Sequence, residues 1–285
     1  MKKAAFLIVI LSITLGTLAR GQAAVVLENS FLTDEPAALE PIQKPKGDEL
    51  TEEFHQSYPL TATGRVSIAN INGNVHISGW DRSEVKVDAV KRAYSAERLS
   101  EVTIDVTNTA DSVIIKTKYP ERNQTWDSRN RENNPASIEY TLTVPRGARI
   151  DGVALVNGSL DIEGVQGEVR ASLVNGKVTA NDLSGEANLS TVNGAIEVNG
   201  ARLAESKGVT LNSVNGSIVL NMPSGANAQV RASTVHGPIT NDFGLTVEEG
   251  QYVGRSLTGQ IGSGGPRIRL NNVNGSIAIK RGLAI

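Results

Sequence analysis

The chain has 285 residues, of which 39% are apolar and 20% are charged, and this composition excludes a disordered chain. Its 28 glycines and 4% aromatic residues indicate many turns, and the absence of cysteine excludes disulfides, thiolate metal sites and a cysteine nucleophile. A net charge of −2 argues against a nucleic-acid-binding surface, so we expect no nucleic-acid partner.

Residues 1–23 predict a secretory signal peptide. Lysines follow Met1, an apolar run extends from Ala4 to Leu18, and a small residue stands at Ala23. An uncleaved membrane anchor is the alternative, although a stable span needs about 20 apolar residues. The pattern predicts an exported protein of the periplasm, cell surface or extracellular space, with no membrane span once the signal is cleaved.

The next two segments differ in their periodicity. Residues 24–55 are acidic, contain three prolines and have no apolar period, so they predict a disordered linker. Residues 56–147 alternate apolar and polar side chains, which predicts a less regular β-rich region.

Within that region, residues 120–135 predict an exposed polar loop. Trp126 and Arg129 in this loop are a candidate ligand contact, because an indole ring and a guanidinium can stack on a sugar or grip an anionic polymer. The alternative is a solvated loop whose Trp126 folds back on the sheet.

A repeat dominates residues 148–285. Val-Asn-Gly occurs five times, Val-His-Gly once, and a related Ile-Asn-Gly stands upstream. The predicted turn residues are Asn72, Gly73, Asn157, Gly158, Asn175, Gly176, Asn193, Gly194, Asn215, Gly216, His236, Gly237, Asn274 and Gly275. Such pairs supply the positive φ angles that tight turns demand.

Two all-β architectures fit the repeat. One is an antiparallel meander with a hairpin turn at every glycine, and the other is a β-solenoid. Apolar residues alternate within each unit, and the turns recur at 18 to 22 residues with the same neighbours. Stacked coils require such identical neighbours whereas hairpins do not. We therefore predict a single β-solenoid (β-helix-like) of stacked coils of about 18–22 residues, with residues 241–267 as an edge loop.

The sequence contains no motif for catalysis or for a cofactor. The three histidines have no metal-ligand spacing, and His236 takes a turn position held elsewhere by asparagine. Glu168 and Glu186 are 18 residues apart and would stack one coil apart, where they either bind a cation or keep a face soluble. We expect no enzyme, no metal and no cofactor.

The repeat behind a signal peptide resembles a bacterial putative-adhesin family of unknown function that is built from β-strand repeats. The stretches Ile71–Asp81 and Tyr140–Ala148 are also similar to it, so the resemblance covers residues 60–280. It implies the fold and offers no catalytic residues to carry over.

These observations together favour an exported, non-enzymatic, adhesin-like interaction or structural module of the bacterial cell envelope. The expected partner is an envelope polymer or protein of unknown identity, and the oligomeric state is not indicated. The alternatives are a β-helix carbohydrate-active enzyme, such as a polysaccharide lyase or hydrolase, and an envelope-stress accessory or scaffold protein.

Overall fold

The structure is a computed structural model that describes residues 49–120, 134–200 and 208–282. The described part has 21 strands in two sheets and one short helix, α1 (Ala96–Glu101), which Ser95 caps. The predicted signal peptide (1–23), the linker up to residue 48 and most of the predicted loop 120–135 lie outside the described residues.

Within each sheet, the spatial order of the strands differs from their order in the chain. Sheet A contains, from one edge to the other, β1 (Leu50–Pro59), β4 (Glu84–Ala93), β7 (Ser137–Pro145), β3 (Val75–Trp80), β9 (Leu160–Glu163), β11 (Val178–Asn181), β13 (Ile196–Asn199), β15 (Ile218–Pro223), β21 (Ile277–Gly282) and β17 (Ile239–Asn241). Sheet B, listed from the opposite end of the stack, contains β18 (Val247–Glu249), β19 (Arg255–Ile261), β16 (Ala228–His236), β20 (Arg267–Asn274), β14 (Gly208–Asn215), β12 (Ala187–Asn193), β10 (Val169–Asn175), β8 (Arg149–Asn157), β2 (Arg65–Asn72), β6 (Ser112–Lys118) and β5 (Thr103–Thr109).

Each repeat is one coil of a solenoid. A coil places one strand in sheet B, turns at the Asn-Gly pair and places the next strand in sheet A, as β10 and β11 do. Neighbouring coils pair in parallel and in register, with Val169 beside Ala187 and Val178 beside Ile196. The predicted β-solenoid is confirmed, and the meander is wrong because hairpins would have made these pairs antiparallel.

The core follows from the period of two. Alternate residues of both sheets face inward and form one continuous cluster of valine, leucine, isoleucine and alanine side chains. Tyr140 is the largest fully buried side chain, and its hydroxyl contacts Thr117 Oγ1 at 2.8 Å. Small and β-branched side chains fill this interior, which explains why the repeat contains so few aromatic residues.

The order of the coils in space differs from their order in the sequence. β20 pairs with β14 on one side and with β16 on the other, and β21 likewise lies between β15 and β17. The coil β20–β21 is therefore interposed between two coils that precede it in the chain. At the other end, β2–β3 lies between β6–β7 and β8–β9.

Antiparallel strands extend both sheets at one end of the stack and sheet B alone at the other end, where β17 is the edge of sheet A. β4 and β1 follow β7 in sheet A, β5 follows β6 in sheet B, and β19 and β18 follow β16. The predicted edge loop 241–267 lies at a sheet edge, but ten of its residues form the strands β18 and β19. Such ends limit the exposure of the parallel ladder.

The predicted linker boundary at residue 55 is wrong. β1 begins at Leu50 and pairs with β4 along its whole length, because Phe54 and Tyr58 pack against the core. A strand whose large apolar side chains, Leu50, Phe54 and Tyr58, recur only at every fourth residue gives too weak a period of two to be separated from an acidic linker.

Candidate binding surface

The turn asparagines form one ladder along the stack. Asn157 Nδ2 donates to Asn72 Oδ1 at 3.0 Å, and each following asparagine donates to its neighbour at 2.9 Å. The ladder contains Asn72, Asn157, Asn175, Asn193, Asn215 and Asn274 in this order. His236 pairs with Asn274 in the next coil and stands where the ladder ends. The structure thus brings the predicted turn residues together in one row.

The turn glycines are required mainly because the coils are close. A Cβ on Gly176 would overlap the carbonyl oxygen of Gly158, and one on Gly194 would overlap that of Gly176. The expected positive φ is found at four of the seven turn glycines, namely Gly73 (117°), Gly216 (159°), Gly237 (144°) and Gly275 (155°), but not at Gly176. Where φ is not positive, the reason for glycine is the approach of the next coil at about 4.8 Å.

In four of the described coils, the residue two positions before the turn residue faces inward and supports the glycine of the neighbouring coil. Thr191 Oγ1 donates to the Gly176 carbonyl at 3.1 Å, and Ser213 Oγ donates to the Gly194 carbonyl at 3.1 Å. At the same position in other coils, Thr234 Oγ1 donates to the Gly275 carbonyl at 3.1 Å, and Asn272 Nδ2 donates to the Gly216 carbonyl at 2.7 Å. These donors partner carbonyl groups inside the solenoid, where an acceptor without a donor is costly.

Replacing Thr191 with valine should therefore destabilise the protein. The change keeps the volume and the β-branch but removes the donor to the Gly176 carbonyl, which should cost about 1–3 kcal/mol in the free energy of unfolding by urea denaturation. Thr179→Val is the matched control, because Thr179 lies on the outer side of β11 and is partly exposed. Equal stabilities of the two variants would contradict a role for this hydrogen bond.

An apolar ridge runs along sheet B directly before the asparagine ladder. Its members are each 38% to 42% exposed, in spatial order Ile71, Val156, Val174, Val192, Val214, Val273 and Val235. At about 4.8 Å per coil, seven positions extend over roughly 29 Å. A contiguous row of exposed apolar side chains marks an interaction surface more often than isolated ones do.

A groove of about 460 Å³ lies beside this apolar ridge. One side of the groove is the ridge, the other side is a polar row on sheet B, and the floor is the inward position described above. The polar row is Ser172, Ser190, Asn212, Asn271 and, at its end, Ser233. Its side chains hydrogen-bond across coils, as with Asn271 Nδ2 to Asn212 Oδ1 at 2.9 Å. On the groove floor, Asn272 Oδ1 is buried and has no hydrogen-bond partner among the described residues.

The other candidate residues do not join this surface. Trp126 and Arg129 lie outside the described residues, so that contact stays a prediction. Glu168 and Glu186 immediately precede the paired residues Val169 and Ala187 of neighbouring strands, but Glu168 is bound by Arg170.

The titratable groups of the described chain are dispersed. His55 lies on β1, His76 on β3 and His236 at the end of β16, and no group of three or more metal-ligating side chains occurs in the described ranges. Hydrogen bonds to Asp88 (2.7 Å) and Glu53 (3.1 Å) raise the pKa of His55. Its contribution to stability is present below the ordinary pKa and is lost as the pH rises through the raised one.

Two tyrosines, the half-buried Tyr119 and the fully buried Tyr140, have raised pKa values. Burial raises the pKa of Tyr119 and of Tyr140 to about 12. Both hydroxyls are engaged: Tyr140 contacts Thr117, and Tyr119 contacts the backbone of Asn72. These phenols serve packing and hydrogen bonding, and their position near the N-terminal end of the stack separates them from the groove.

In the ranges that the structure describes, no helix has the length and apolarity needed to cross a membrane.

Comparisons with known proteins give one family. A family model described as Toastrack DUF4097 matches residues 59–280. No curated protein matches the sequence. A "putative cell adhesion protein" from Clostridium sporogenes ATCC 15579 is 17% identical, with a TM-score of 0.49 over 82% of this chain and 100% of that one. A "putative adhesin" from Bacteroides fragilis NCTC 9343 is 13% identical, with a TM-score of 0.36 over 81% and 97%.

Proposed function

The chain belongs to the Toastrack DUF4097 family, and on that premise we propose that it is an exported, non-enzymatic, adhesin-like interaction module of the bacterial cell envelope. Its partner in this proposal is an envelope polysaccharide that lies along the outer side of sheet B. The predicted signal peptide at residues 1–23 supports export, and the repeat supports a role based on an extended surface.

The observation that carries this proposal is the apolar ridge together with the groove and the polar row beside it. The three run in parallel along the stack, and each is built from the same repeat position in successive coils. A surface that repeats at about 4.8 Å suits a long partner that itself repeats, because one arrangement of contacts can recur along it. The turn residues from Asn72 to Gly275 have a structural role in this proposal, since they hold the ridge in place.

The test is a binding assay with residues 24–285 and a panel of purified envelope polysaccharides. We expect retention of at least one polysaccharide with no release of reducing or unsaturated ends. The double variant Val192→Ser and Val214→Ser should weaken retention severalfold. Val219→Ser is the matched control, because this valine lies on the outer side of β15 in sheet A.

Three outcomes would count against the proposal. Release of new ends would favour the carbohydrate-active enzyme. Retention of no polysaccharide, together with co-purification of an envelope protein, would favour the accessory or scaffold protein. Equal binding by the ridge variant and its control would place the binding surface elsewhere.

A further inference from the structure

Three arginines lie side by side on the outer side of sheet B, next to the polar row. Arg231 on β16 is the direct cross-strand partner of Arg269 on β20, and Arg267 precedes Arg269 by two residues on the same side of the strand. Neighbouring strands lie about 4.8 Å apart, so the guanidinium groups share one patch. All three residues are exposed.

None of these arginines forms an ion pair in the ranges that the structure describes. No ion pair or hydrogen bond of their side chains occurs with any described residue. The outward positions of β14, β20, β16 and β19 around them carry no carboxylate, and the structure describes all four strands in full. Like charges directly opposite each other destabilise a sheet, so an anion at this patch would relieve the repulsion.

Another arginine on the outer side of sheet B, Arg170, is neutralised by carboxylates. Arg170 on β10 occupies the same repeat position as Arg231 and Arg269, five residues before the turn residue. It contacts Asp151 Oδ1 at 3.1 Å and also pairs with Glu168. The same row therefore contains a neutralised arginine at one end and unpaired arginines at the other.

The groups around the patch are hydroxyls and amides. Ser256 and Thr258 of β19 flank it on one side, and Thr210 of β14 flanks it on the other. Ser233 and Asn271 lie one row nearer to the groove and are already joined by a hydrogen bond of 3.1 Å. Such groups match the hydroxyls of a sugar, whereas guanidinium groups match a carboxylate in a bidentate arrangement.

We propose that Arg231, Arg267 and Arg269 bind the carboxylate groups of an acidic polysaccharide, whose sugar rings extend from this patch along the polar row and the groove. This inference rests on the proposed function and names the chemical class of its partner. The sequence contains the signal, since Arg231 and Arg269 share a repeat position, but they are 38 residues apart and become neighbours only through the interposed coil.

The test measures binding of residues 24–285 to polygalacturonate, to neutral dextran and to vesicles that contain phosphatidylglycerol. We expect binding to polygalacturonate that weakens as salt is added and no binding to the other two. The double variant Arg231→Gln and Arg269→Gln should raise the Kd for polygalacturonate roughly tenfold. Arg170→Gln is the matched control and should leave the Kd unchanged.

Folding of the variants is checked by their Tm. The double variant should melt at the same temperature as the parent or slightly above it, because it removes like-charge repulsion. A large fall in Tm together with the loss of binding would show a structural role and overturn the proposal.

The remaining outcomes separate this inference from the proposed function. Equal binding of dextran and polygalacturonate, unaffected by the arginine variants, would overturn the acidic-ligand inference and leave the interaction module standing. Stronger binding to the vesicles would overturn it in favour of a membrane surface. Failure to bind any polysaccharide in this or the broader panel would overturn both.

Discussion

Replacing Gly176 with alanine is expected to lower the free energy of unfolding by about 3 kcal/mol, because a single methyl group would overlap the backbone of the coil beside it. The contact atom is the carbonyl oxygen of Gly158, which cannot rotate away as a flexible side chain would. Its displacement would also disturb the asparagine ladder on either side. For a protein of this size the Tm should fall by roughly 6–12 °C, which differential scanning calorimetry would measure.

Gly225→Ala is the matched control. No atom lies within 4 Å of a Cβ built on Gly225, and its backbone is not in the positive-φ region. A surface change of this kind should stay within about 0.5 kcal/mol of the parent. If the Tm of Gly176→Ala equals that of Gly225→Ala, the coils can separate locally and the steric explanation of the repeat glycine is wrong.

Removing the interposed coil should have the largest effect of any single change. A chain that stops after Gly265 loses β20 and β21, which supply the buried side chains Ile268, Leu270, Ile277 and Ile279. At about 1.5–3 kcal/mol each, these side chains alone contribute roughly 6–12 kcal/mol, which is comparable to the whole stability of a typical domain. We expect loss of cooperative unfolding and binding of a hydrophobic dye.

Removal of an edge strand provides the comparison. A chain that begins at residue 60 lacks β1, which pairs with β4 alone, so this deletion should leave a cooperative transition at a lower temperature. A synthetic peptide of residues 266–282 should restore the transition of the chain that stops after Gly265. If both deletions left the same unfolding transition, the position of β20 and β21 between two other coils would not explain the stability of the protein.

The fold could be predicted from the sequence because a single repeated pattern specifies it. Alternating apolar residues specify strands, and identical neighbours at Asn175, Asn193 and Asn215 specify parallel stacking. The order of the coils could not be predicted for the same reason. β14 offers Val209 and Leu211 to its neighbour, and both β16 and β20 have apolar residues at the matching positions, so either could pair there.

The candidate site was only partly predictable. The turn residues were visible as a motif, but the exposure of the valines before them was not, since a valine in a β repeat is ordinarily placed in the core. The structure turns Val192 and Asn193 outward together, whereas Thr191 faces inward. A period of two cannot predict two consecutive outward residues, so the apolar ridge is visible only in the folded protein.

The interposed coil also has a mechanical consequence. A force that pulls residue 282 away from the stack cannot peel a single edge strand, because β21 is held by β15 on one side and by β17 on the other, and β20 is held in the same way in sheet B. Four ladders have to break before this part of the chain extends.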